Sequence, residues 1–174
     1  MIIDLFAVVS NPGIDREYEL DISGITFDSM MGTFKATKAS PFRIKISNNA
    51  GKSIRLNTEG DIHFTVPCDR CLKDCDVAID LEFEKEFGIE NDRLVIEDLD
   101  EPEYIEGLNL NTDQLVYDEI LVNWPMKVLC KEDCKGICNK CGKNLNEGTC
   151  DCDRTVVDPR IAAIQDVFNK FKEV

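Results

Sequence analysis

Phe42-Arg43-Ile44-Lys45-Ile46-Ser47-Asn48-Asn49-Ala50-Gly51 places an apolar residue at every second position, Phe42, Ile44 and Ile46, and then runs into turn formers. Successive side chains of an extended strand point to opposite faces, so this alternation reads as a half-buried antiparallel strand entering a turn. The same period recurs on either side: Tyr18, Leu20 and Ile22 before it, then Ile62, Phe64 and Val66, then Val77, Ile79, Leu81 and Phe83. Thr58-Glu59-Gly60-Asp61 supplies a second turn among them. The expected fold class is α+β, an antiparallel β-rich domain with two or three helices and a cysteine-rich C-terminal knuckle.

Two helices are legible after the strands. From Asn111, with Gln114 three residues on as a capping partner, alternation gives way to helical spacing at Tyr117, Ile120, Leu121 and Trp124, and Pro125 ends it. Further on, Asp158 suits a cap and Pro159 the first helical position, while Ile161, Ile164, Phe168 and Phe171 form one apolar face. The 174 residues are enough to bury a core without outside help. They divide into a β-rich core with one helix over 1–125 and a cysteine-rich knuckle with a helix over 126–174, reading together as one integrated domain.

Charge bounds the partners. A net charge of -14 argues against general nucleic-acid binding, which relies on Lys and Arg displacing counterions, and no DNA partner is expected. The charge is also segregated. Lys35, Lys38, Arg43, Lys45, Lys52 and Arg55 lie in a run with no acidic residue between Asp28 and Glu59, whereas Asp74 to Glu106 holds fourteen Asp or Glu against Lys85 and Arg93. These read either as ordinary solvated strand faces and an acidic loop, or as a basic face for RNA and an acidic face for a basic protein. No stretch approaches a membrane span, and Met1 to Ser10 has neither the basic start nor the apolar length of an export signal. The expected compartment is therefore a reducing cytoplasm, where nine cysteines point to metal or redox chemistry rather than disulfides.

Six of the cysteines are arranged as Cys130-x3-Cys134-x3-Cys138-x2-Cys141-x8-Cys150-x-Cys152. A Cys-x2-Cys turn lets two thiolates converge on one ion, Gly142 permits the tight backbone that follows, and the pair after the loop Gly142 to Thr149 closes a tetrahedron. Soft thiolates in a tetrahedral set favour zinc, although an iron–sulfur cluster shares the ligand type. A second group, Cys68-x2-Cys71-x3-Cys75, follows the strand that ends at Val66 and Pro67. As a thiol–disulfide redox pair, Cys68 and Cys71 would need a strand-to-helix junction in a parallel arrangement, which the antiparallel pattern does not offer. Pairing suggests four plus four plus one: Cys68, Cys71, Cys130 and Cys134 in one site, Cys138, Cys141, Cys150 and Cys152 in another, and Cys75 left over. The competing arrangement is a single zinc drawn from the six C-terminal cysteines. His63, the only histidine, reads as an ordinary strand residue, and no Ser-His-Asp order, phosphate loop or His-Glu-x2-His motif marks a catalytic centre.

Val66-Pro67-Cys68-Asp69-Arg70-Cys71-Leu72, the acidic stretch, the helix through Asp118-Glu119, and the blocks Leu129 to Cys138, Cys141-Gly142-Lys143-Asn144-Leu145-Asn146, Cys150-Asp151-Cys152 and Asp158-Pro159-Arg160 together resemble the YceD family of large-ribosomal-RNA accumulation proteins. The resemblance runs from about Ile3 onward. It implies a bacterial or chloroplast-type cytoplasmic factor that supports accumulation of 23S ribosomal RNA, with no catalytic residues. Its partners would be large-subunit ribosomal RNA, a basic ribosomal protein, or both. Lys127, Lys131, Lys135, Lys140 and Lys143 around the knuckle would then touch RNA, or simply balance thiolate charge. A thiol redox protein and a generic zinc-stabilised interaction module are the alternatives.

Overall fold

The computed structural model describes residues 1–29, 32–91, 93–95 and 102–152. The chain opens with strand β1 (Ile2–Asp4) and the single-turn helix α1 (Phe6–Val9), followed by β2 (Asp15–Leu20), β3 (Thr26–Ser29), β4 (Gly32–Ala39), β5 (Phe42–Asn49), β6 (Ser53–Glu59), β7 (Asp61–Pro67), β8 (Asp74–Asp80), β9 (Glu84–Glu90) and β10 (Arg93–Val95). Two short strands, β11 (Ile105–Glu106) and β12 (Asn109–Asn111), lead into helix α2 (Thr112–Asn123). Among the described residues, a β-rich architecture with antiparallel sheets and two helices is therefore present. The helix expected from Asp158 lies outside the described residues.

One sheet has the order β10-β9-β6-β5-β2 and another β3-β4-β7-β8, with every pairing antiparallel. The chain changes sheet at each of the joints β2 to β3, β4 to β5, β6 to β7 and β8 to β9. The two sheets are thus one meander of four long strands, each bent near its middle, which is how orthogonally packed sheets make their corners. The bends lie side by side, since Ser40 N donates to Asp61 O at 3.0 Å and Leu81 N to Gly60 O at 2.9 Å. Gly60 suits the close approach there: a Cβ would stand 3.1 Å from Phe42 Cδ2 and 3.3 Å from its Cα, tighter than an ordinary contact.

Folding the meander encloses the alternating residues. Phe42, Ile44 and Ile46 of β5 and Ile62, Phe64 and Val66 of β7 are fully buried, each such side chain contributing about 1.5–3 kcal/mol by leaving water. Two sequence expectations shift at the bends. Ile22 lies beyond β2, and Leu81 and Phe83 lie beyond β8, because both strands stop where the chain turns from one sheet into the other. Ile22 is still buried, as a corner residue rather than a strand one.

Helix α2 begins as the sequence indicates: the Asn111 side chain accepts from the N–H groups of Asp113 and Gln114. Its buried face is Leu115, Val116, Glu119 and Ile120, whereas Leu121 is 57% exposed and does not belong to it. Trp124, just past the helix, packs on Phe27, Phe34 and Phe64 with ring centroids 4.5, 5.7 and 5.4 Å away. The buried Glu119 carboxylate pairs with Lys85 of β9, whose ammonium also lies over the rings of Phe83 and Tyr104 at 5.2 and 5.6 Å.

Half of the basic run is paired with its neighbours. On β5, Arg43 pairs with Glu19 and Glu59 at 3.3 and 3.6 Å and Lys45 with Asp15 at 3.1 Å; on β6, Arg55 pairs with Glu84 and Glu86 at 3.2 and 3.4 Å. Arg43, Lys45 and Arg55 are thus engaged with carboxylates on their own strand faces. Lys35, Lys38 and Lys52 are exposed, with no ion-pair partner among the described residues.

Candidate metal centres

Strand β7 runs out at Pro67 into a tight turn in which Cys68 N donates to Lys73 O at 2.8 Å and Leu72 N to Cys68 O at 3.0 Å. The turn aims Cys68 and Cys71 at the segment after Trp124. That segment is fixed by Asp69, whose backbone N donates to Val128 O at 2.9 Å and whose carboxylate accepts from Val128 N at 2.7 Å. Arg70 adds a bond from its guanidinium to Cys134 O at 2.8 Å. Cys130 and Cys134 are thereby brought to Cys68 and Cys71, and the four sulfurs lie within 4.8 Å of one another. Cys68 Sγ is 3.8 Å from Cys134 Sγ, and Cys71 Sγ 3.5 Å from Cys130 Sγ. A tetrahedral ion with metal–sulfur bonds of ~2.3 Å sets sulfurs about 3.8 Å apart, so the donor set and spacing fit zinc.

The second group is local. Cys138 N donates to Lys143 O at 2.9 Å and Gly142 N to Cys138 O at 2.8 Å, with Gly142 at φ +73°, a left-handed conformation that glycine adopts without cost. Lys143 Nζ donates to Thr149 O at 2.7 Å across the loop. Cys138, Cys141, Cys150 and Cys152 converge, again with all four sulfurs within 4.8 Å. The eight cysteines singled out by spacing therefore fall into two groups of four able to hold metal ions. Cys75 stays outside both, with its Sγ 3.4 Å from Lys73 O.

Electrostatics divide each group. Burial pushes the Cys68 thiol up, but the N–H groups of Arg70, Cys130 and Cys71 outweigh it and bring the pKa down to about 6. Cys138 is likewise lowered to about 6, chiefly by the N–H groups of Cys141 and Lys140. One other thiol in each group moves strongly the other way. Cys130 is pushed up to about 12 by its contact with Cys71 and by burial, and Cys152 to about 12 by its contact with Cys141 and by burial. Four sulfurs held this close cannot all ionise unaided, and a cation among them removes the obstacle.

His63 is held by two carboxylates, Nδ1 2.9 Å from Asp76 and Nε2 3.3 Å from Asp61. It lies beside an open cavity of about 580 Å³ over the bends, whose other charged lining includes Arg43, Glu59, Asp80 and Glu82. Asp69, Arg70 and Asn146, which organise the cysteine groups, carried no assigned role in the sequence. Their only signal was membership of the Cys68–Cys71 and Cys141–Asn146 blocks.

Fold and site together define an antiparallel β-rich protein with two four-cysteine clusters suited to metal ions. The family model described as large ribosomal RNA subunit accumulation protein YceD matches residues 56–168, a span that contains both clusters. The chain belongs to the YceD family. Neither a search of curated proteins nor one of solved structures gives a match. No helix among the described residues is long and apolar enough to cross a membrane.

Proposed function

We propose that this chain is a non-enzymatic, cytoplasmic ribosome-biogenesis factor that supports accumulation of 23S ribosomal RNA by binding large-subunit RNA or a basic ribosomal protein. Each cysteine quartet holds one zinc ion as a structural clamp. The observation that carries this reading is the family match across residues 56–168. Several features agree with it. A site with four protein thiolates leaves no open coordination position for water, so it suits structure rather than hydrolysis. Cys68 and Cys71 are buried and face two further thiols, a poor arrangement for exchange with an external disulfide.

Depleting the protein in cells and measuring 23S against 16S ribosomal RNA tests the function: the ratio falls, and an unchanged ratio overturns the proposal. Co-purification from the same cells then separates large-subunit RNA from a basic ribosomal protein as the direct partner.

A further inference from the structure

The two cysteine clusters are not independent. Asn146 sits in the loop between Cys141 and Cys150, so its backbone belongs to the knuckle, yet its side chain reaches the other cluster: Nδ2 donates to Cys134 Sγ at 3.3 Å. Its remaining polar capacity fixes that orientation. Oδ1 accepts from Lys135 N at 2.9 Å, and Nδ2 also donates to Asn144 Oδ1 at 2.9 Å. An N–H of Lys135 must meet an oxygen, which leaves the amide nitrogen, with its two hydrogens, for the sulfur and for Asn144. Asn144 in turn accepts from Asn146 N at 3.0 Å, and Leu145 N donates to Gly136 O at 2.9 Å, binding the loop to the segment that joins the clusters. The Asn144-Leu145-Asn146 run, which contributes no metal ligand, is thereby given a task.

We infer that Asn146 is a positioning residue through which a loaded Cys138–Cys152 knuckle raises the metal affinity of the Cys68–Cys71–Cys130–Cys134 site. A donor to a ligating sulfur fixes its orientation and offsets its negative charge, and the loop that carries this donor is closed by the knuckle's own ion. The knuckle fills first and completes the other site. This inference rests on the proposal that both quartets hold metal.

Cobalt(II) titration of the full-length protein, followed by thiolate-to-metal absorption, tests it. Cys71→Ser and Cys152→Ser assign the two phases by leaving one intact quartet each. In Asn146→Asp, which keeps the Lys135 contact and loses the donor, the Cys68 site weakens about ten- to a hundredfold while the knuckle phase is unchanged. Asn146→Ala, which introduces no charge, gives the same selective loss. Cys152→Ser weakens the Cys68 site as well. Unchanged affinity at that site in these variants, or equal weakening of both phases by Asn146→Asp and Asn146→Ala, overturns the coupling while leaving two metal sites standing. A wild-type protein that binds no cobalt overturns the metal proposal itself and the coupling with it.

Discussion

Cys68 and Cys138 ionise readily, each at about 6, because backbone N–H groups converge on their sulfurs. Both values lie below the ordinary thiol range, so the thiolates are present at neutral pH and are lost as the pH falls through 6. Protons then compete with metal. Loading the sites must expel the protons held by Cys130 and Cys152, so zinc affinity is expected to fall as the pH falls, which a zinc-sensitive dye reports; an affinity independent of pH would contradict the proposed ligand set. Metal content tests the grouping directly. Cys71→Ser is expected to lower bound zinc from two ions per chain to one, and an unchanged count returns the single-site arrangement. The grouping was legible because Cys-x2-Cys spacing constrains a turn whatever surrounds it. Arg70 and Asn146 were not, since each acts across 64 or 12 residues of sequence through a contact that only the folded chain creates.

At the level of elements, the bends decide the architecture. Gly60→Ala forces a Cβ against Phe42 and is expected to cost about 1–3 kcal/mol in urea denaturation. The Lys85–Glu119 pair links β9 to α2 in a largely dry setting. Lys85→Ala leaves the buried carboxylate without its cation and lowers stability by about 3–5 kcal/mol, whereas Lys85→Met with Glu119→Leu recovers most of that loss. Equal destabilisation by the single and double variants would show that packing, not charge, is at stake. Strands β5 and β7 could be read from period two, since one face of each is buried along its whole length. Strand β4 escaped because its alternating residues are only half-buried, and β6 because it offers just Ile54 and Leu56. The α2 face was misjudged at Leu121 because helical spacing gives the neighbourhood of an apolar stripe, and tertiary packing then keeps Ile120 and adds Leu115 and Val116.

At the scale of the whole molecule, the apolar core and the buried cysteines form separate clusters. Chelation is therefore expected to raise hydrogen exchange in residues 68–73 and 126–152 while β5 to β7 stay protected; loss of protection throughout would make metal a condition for the entire fold. The Cys68–Cys134 contact spans 66 positions of the chain. An ion there is a removable cross-link that closes a ring of that length, cutting the freedom of the unfolded chain much as a disulfide would, without needing an oxidant. It also imposes an order of events at the ribosome: residues 42–67 can leave the exit tunnel and pair while the ring is still open, and the lock shuts only after Cys134 has emerged.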